Sequence, residues 1–139
     1  MTTTDPSLPV SEYAFPGPLR DRLVAALLDG TKTSTSSLLL EYTEREPLPR
    51  VGDRAVVVDS RSEPVAVETV TGVEVRRLKD VPLDHALAEG EGFSSVAEWR
   101  TAHEEFWHSA EFRESLGDPG FRVTDDTRVV CVRMTVRPL

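Results

Sequence analysis

Residues 64–76 constrain this chain more than any other stretch. Val65, Val67, Thr69, Thr71, Val73 and Val75 alternate with Ala66, Glu68, Val70, Gly72 and Glu74. A period of two with β-branched residues filling one side specifies a long strand, because successive side chains in extended backbone point to opposite faces. Gly72 inside that pattern predicts a bend or bulge of the kind a curled sheet requires. Three further runs supply partners: residues 38–42 with their leucines, residues 54–59 around Val56, Val57 and Val58, and residues 128–136.

Helical segments fall between these strands. Leu19, Leu23, Ala26 and Leu27 recur at helical spacing over residues 18–29, and Gly30 follows as a C-terminal stop. Asp80 and Pro82 open a short helix that runs to about Ala88. Ser95 and Glu98 have the capping-box spacing and start a long helix over residues 96–113, with Trp99, Ala102, His103, Phe106 and Ala110 on one face. Strand-rich segments with interposed helices and no regular βαβ alternation predict an α+β fold around a mostly antiparallel sheet. Residues 1–12, dominated by Thr, Ser, Pro and Asp, are expected to be a flexible leader, and residues 13–139 a single domain.

Composition narrows the partners. The formal charge is −8, from 16 Lys and Arg against 24 Asp and Glu. Non-specific nucleic-acid binding depends on cations that neutralise phosphates, so this balance favours a small ligand over a long polyanion. The densest basic stretch, Arg76, Arg77 and Lys79, reads as a solvated strand end. No apolar run approaches the roughly 20 residues of a membrane span, and residues 1–9 lack the pattern of a secretion signal. With Cys131 as the single cysteine, no internal disulfide forms, and a reducing cytoplasm is the expected location. Cys131 lies in an apolar run and reads as a buried structural thiol.

Three segments can carry chemistry. Around Lys32, the Lys-Thr pair suggests a phosphate loop, but Thr31 and Ala26 stand where that loop needs glycines. What remains is a lysine among hydroxyl side chains at a helix-to-strand junction, which is either a polar turn or a general base beside a hydroxyl. Lys32 and Thr35 can cooperate only if the chain is not a regular strand between them. In the Glu89-Gly90-Glu91-Gly92 loop, glycines on each side of Glu91 let a carboxylate enter a cleft, the alternative being a solvent-facing acidic turn. On the aromatic helix, His103 can reach a cleft rim, although most of that face reads as core. His85, His103 and His108 have no cysteine partner at ligand spacing, so no metal site and no cofactor is expected.

Taken in order, the motifs Gly-x-Lys-Thr-x-Thr at residues 30–35, Leu-Pro-x-Val-Gly-Asp at 48–53, Ala-x-Ala-Glu-Gly-Glu-Gly at 86–92 and Trp-Arg-x-x-His-x-x-Phe at 99–106 resemble the ASCH domain family. The resemblance covers nearly the whole chain from Phe15 onward. It implies a PUA-like, curled β-barrel with flanking helices and a cleft over the barrel. It also implies an activity, since small bacterial amidohydrolases of this superfamily deacetylate N(4)-acetylcytidine with a lysine as proton acceptor, a threonine as nucleophile and a glutamate as proton donor. Carried over residue by residue, these are Lys32, Thr35 and Glu91. Thr33, Ser37, Trp99, Arg100 and His103 are the expected substrate-binding residues. Two departures stand out: Ser37 replaces the arginine of those amidohydrolases, and Val132 replaces a glutamate that many ASCH relatives carry after the final-strand cysteine. The expected ligand is a small acylated nucleoside. The alternatives are an RNA-binding module or metal-assisted ribonuclease, and a non-catalytic nucleotide-binding domain.

Overall fold

A computed structural model describes residues 6–139. In chain order it contains β1 (Val10–Ser11), α1 (Pro18–Asp29), β2 (Ser34–Leu38), β3 (Arg54–Val58), β4 (Pro64–Arg77), α2 (Leu83–Ala88), α3 (Val96–Trp107), α4 (Ala110–Leu116) and β5 (Arg128–Pro138). The fold is α+β. Its sheet runs β1-β3-β4-β5-β2, with β1 parallel to β3 and every other pair antiparallel. Here the expected barrel needs correction. Among the described residues β1 and β2 form the two edges and do not pair, so the mixed sheet stays open. Val10 and Ser11, inside the expected leader, pair with Val56 and Val57, while residues 1–5 lie outside the described residues.

The long strand is present, and its glycine changes which residues are buried. The β4–β5 register shifts between Val70 and Gly72, so that Val70 faces Met134 and Gly72 faces Arg133. One extra residue exchanges the two faces of a strand. Ala66, Glu68 and Val70 therefore share a face with Val73 rather than with Glu74, and Val70 and Val73 pack in one cluster with Val130 and Val132. Simple alternation places Glu68 on the polar side; in the structure it is buried.

Two other boundaries move. The first strand occupies Ser34–Leu38 instead of residues 38–42, because the hydroxyl-bearing residues pair with β5 from Ser34↔Arg133 to Leu38↔Val129. The leucine run then turns into a 3-10 segment, Leu39–Glu41, closed by the Glu41 carboxylate accepting from the Leu38 N–H at 2.7 Å. The expected helix over residues 96–113 is two helices, since Ser109 caps a new one by accepting from the Phe112 N–H at 3.2 Å. Ser95 caps α3 by accepting from the Glu98 N–H, as the sequence pattern requires.

The core has separate parts on the two sides of the sheet. Trp99 and Trp107 of α3 and Phe112 of α4 pack with Leu38, Val129 and Cys131. Val24 and Leu27 of α1 pack with Tyr13, Val57, Ala66 and Met134. Arg20 is buried in α1, where it donates to the carbonyls of Tyr13 (3.0 Å) and Ala14 (2.9 Å) and so fixes the approach to the helix. No described helix is long and apolar enough to cross a membrane.

Candidate active site

α1 ends where the site begins. Gly30 takes a left-handed conformation (φ 85°), which turns the chain out of the helix. Lys32 follows, its N–H bonded to the Ala26 carbonyl, and Thr33 donates its N–H to Ala88 at 2.7 Å. The strand starts only at Ser34, so Lys32 and Thr35 are not members of one regular strand. At the other side of the junction, Gly90 lies against this backbone. A Cβ on Gly90 would sit 2.6 Å from the Thr31 carbonyl carbon and oxygen and 2.7 Å from the Lys32 nitrogen, and its φ of +69° also disfavours a side chain. The close approach that Gly90 permits is thus between the α2–α3 loop and the Thr31–Lys32 backbone.

Lys32 is 2% exposed. Its Nζ donates to the Ser34 carbonyl at 2.8 Å and to the Glu89 carbonyl at 3.4 Å, and lies 3.8 Å from Glu89 Oε1. Glu89, 1% exposed, is the carboxylate that sequence reasoning missed. Its Oε2 accepts from Ser36 Oγ at 2.7 Å and from the Trp99 indole N–H, and its Oε1 meets His103 Nε2 at 3.1 Å. His85 Nε2 stands 3.4 Å from Oε2 and 2.7 Å from Ser36 Oγ. One signal was available in the sequence: His85 and Glu89 are four apart, the spacing of neighbours along a helix.

These contacts set the charges. Burial alone would raise Glu89, but hydrogen bonds from His103 and His85, and the charges of His103 and Lys32, hold it well below the usual carboxylate range. Burial lowers Lys32, against the pull of Glu89, Glu91 and Glu68. His103 is disfavoured as a cation by burial, yet its hydrogen bond to Glu89 and that residue's charge leave it above its ordinary value. Glu91 is an exposed residue that lines the same cavity, with a carboxyl oxygen within 4.8 Å of ligand atoms of Glu89 and His103. Shelter raises its pKa, Lys32 opposes this and Glu89 reinforces it. Cys131 is pushed up to about 12, chiefly by burial, as befits a structural thiol.

Lys32, Thr35 and Glu91 all line one cavity of about 1240 Å³, together with Ser37 and His103. Ser37 Oγ is hydrogen-bonded to the Tyr42 hydroxyl at 2.6 Å. Thr35 and Ser36 are consecutive in β2 and point to opposite faces, so Ser36 is the strand hydroxyl that touches Glu89. Three expected binding residues do not line the cavity. Thr33 is exposed and held by Ala88. Trp99 is fully buried and orients Glu89 from behind. Arg100, one position round the helix, turns away to pair with Asp125 at 2.7 Å. Oxygen and nitrogen atoms of Glu89, Glu91 and His103 lie within 4.8 Å of one another. A cation there would compete with Ser36, Trp99 and His103, which already occupy Glu89.

The family model of the ASCH domain matches residues 11–136. The chain belongs to the ASCH domain family. An ASCH domain from Lactobacillus crispatus JV V101 superposes with a TM-score of 0.76 at 26% identity, over 94% of this chain and 81% of that one. A protein from Enterococcus faecalis V583 gives 0.68 at 30% identity, over 84% and 68%. The ASCH protein of Zymomonas mobilis, 12% identical with a TM-score of 0.53 over 94% and 71%, shares the fold. No curated protein matches the sequence. The cavity of this ASCH domain therefore lies where α1, β2 and the α2–α3 loop meet, enclosed by the sheet and α3.

Proposed function

We propose that this ASCH domain is an amidohydrolase for acylated nucleosides such as N(4)-acetylcytidine. The observation that carries the reading is a buried lysine of lowered pKa that shares one cavity with Thr35 and a carboxyl of raised pKa, Glu91. In this reading Lys32 takes the proton of the Thr35 hydroxyl as its oxygen attacks the acyl carbon. Glu91 delivers a proton to the departing nitrogen, and water then releases the acyl group from the threonine. Raised and lowered values on neighbouring groups suit an acid and a base that must hold opposite protonation states. Glu89, held ionised, orients Lys32 and His103 and is a positioning residue. A volume of about 1240 Å³ accommodates a nucleoside.

The test is hydrolysis of N(4)-acetylcytidine by purified protein, followed by the change in ultraviolet absorbance. Thr35→Ala is expected to lower kcat by roughly a hundredfold or more while sparing binding, because it removes the attacking oxygen and little volume. Full activity in Thr35→Ala together with loss in Ser36→Ala would transfer the nucleophile to Ser36. Absence of turnover by the wild type on any acylated cytidine would end the amidase reading.

A further inference from the structure

Glu68 is a buried carboxylate that the proposed reaction leaves unused. It sits in the middle of β4, between Ala66 and Val70, and is 8% exposed. The Tyr13 hydroxyl donates to its Oε2 at 2.6 Å. Burial, the Glu68 charge and the hydrogen bond to Glu68 keep Tyr13 well above its ordinary pKa, so it remains a donor. No described lysine, arginine or histidine comes within ion-pair distance of Glu68; Lys32, whose Nζ lies 5.8 Å from the centre of the Tyr13 ring, feels its charge at longer range. A carboxylate taken out of water with a single donor is costly unless something else binds it. Oε1 accepts from no described residue, and no described side-chain polar atom is sealed away without a partner. Glu68 lines the cavity together with Tyr13, Lys32 and Thr35, so a ligand there can reach its carboxyl.

Most charged residues of the lining, Glu68 included, have the same sign. Seven acidic residues border the cavity against Arg22, Lys32 and Arg54. A phosphate brought beside Glu68 would meet a buried charge like its own, whereas O–H or N–H donors would complete its hydrogen bonding.

We propose that Glu68, held by Tyr13, forms a ligand subsite that accepts hydrogen bonds from a donor-bearing group, a sugar hydroxyl or a ring amino group, and that excludes phosphorylated ligands. This rests on the nucleoside reading above for the ligand class and not on turnover. The experiment is calorimetric titration of the whole chain with cytidine, 2′,3′-dideoxycytidine and cytidine 5′-monophosphate. Wild type is expected to bind cytidine at least tenfold more tightly than the monophosphate. Glu68→Gln, which keeps the volume but loses the charge and one acceptor, is expected to weaken cytidine by roughly 10–100-fold and to narrow the gap to the monophosphate. Tyr13→Phe, which leaves the carboxylate in place, is expected to weaken cytidine by a smaller factor and covers the case in which Glu68→Gln does not fold. If Glu68→Gln weakens dideoxycytidine equally, the donor is the ring amino group or the 5′-hydroxyl; if it weakens cytidine alone, the donor is the 2′- or 3′-hydroxyl. Unchanged cytidine affinity in both folded variants overturns the subsite, as does failure of the wild type to bind cytidine or tighter binding of the monophosphate. A wild type that binds cytidine in a Glu68-dependent way but hydrolyses nothing would remove the amidase reading and leave the subsite standing.

Discussion

Five neighbours converge on the Glu89 carboxylate: Ser36, Trp99, His85, His103 and Lys32. A buried charge is tolerated when its lone pairs are occupied and an opposite charge is close. Removing it reverses both conditions, since Glu89→Gln would leave Lys32 buried without its carboxylate. The expected loss is roughly 3–5 kcal/mol of folding stability, measured by urea denaturation near neutral pH. The pH dependence follows from the shifts. Glu89 is depressed in the folded state, so its stabilisation is present above the ordinary carboxylate pKa and is lost as pH falls through the folded value. His103 is raised, so its contribution is present below the ordinary imidazole pKa and is lost as pH rises through the folded value. Wild-type stability should therefore fall off toward acid and again above the imidazole range, and Glu89→Gln should flatten both limbs. Unaltered limbs in that variant would separate Glu89 from the titration.

At the scale of elements, the α2–α3 loop and the α1–β2 junction meet backbone to backbone. Gly90 permits this, because any Cβ there would overlap Thr31 and Lys32. Gly92, the other glycine beside Glu91, has open space around it and shares only the positive φ. Gly90→Ala is therefore expected to destabilise the domain by more than about 1 kcal/mol and, under the proposed amidohydrolase function, to abolish hydrolysis by separating Glu89 from Lys32. Gly92→Ala should show only the smaller backbone strain. Thermal denaturation of the two variants beside the wild type makes the comparison, and equal effects would remove the close approach as the cause. The β4 bulge at Gly72 acts at the same scale, since it carries the buried face from Ala66, Glu68 and Val70 across to Val73.

For the molecule as a whole, charge selects partners. With a net −8 and a cavity whose charged residues are mainly carboxylates, weak or no non-specific RNA affinity is expected at about 0.15 M salt. Arg76, Arg77 and Arg133 do not alter this, being paired with Glu74, Asp126 and Asp84 respectively. Titration of a labelled single strand decides the matter. Micromolar binding with a steep salt slope would show that a local basic surface overrides the global charge.

Local patterns in the chain determined the α+β class, the long strand with its bulge, the α1 stop at Gly30 and the cap at Ser95, because each depends on a few adjacent residues and on backbone periodicity. The four ordered motifs likewise identified the family and brought Lys32, Thr35 and Glu91 forward as candidates. Tertiary structure alone decided that the sheet stays open, since closure depends on whether β1 and β2, 23 positions apart at Ser11 and Ser34, meet in space. It also decided which carboxylates are buried. Glu89 and Glu91 sit two apart in one glycine loop and are indistinguishable by composition, yet one fits beneath Trp99, His85 and His103 while the other reaches the cavity from outside. Glu68 reads as a polar-face residue until the bulge and Tyr13, 55 residues away, place it inside. Burial is a property of the packed neighbours, and those neighbours come from distant parts of the chain.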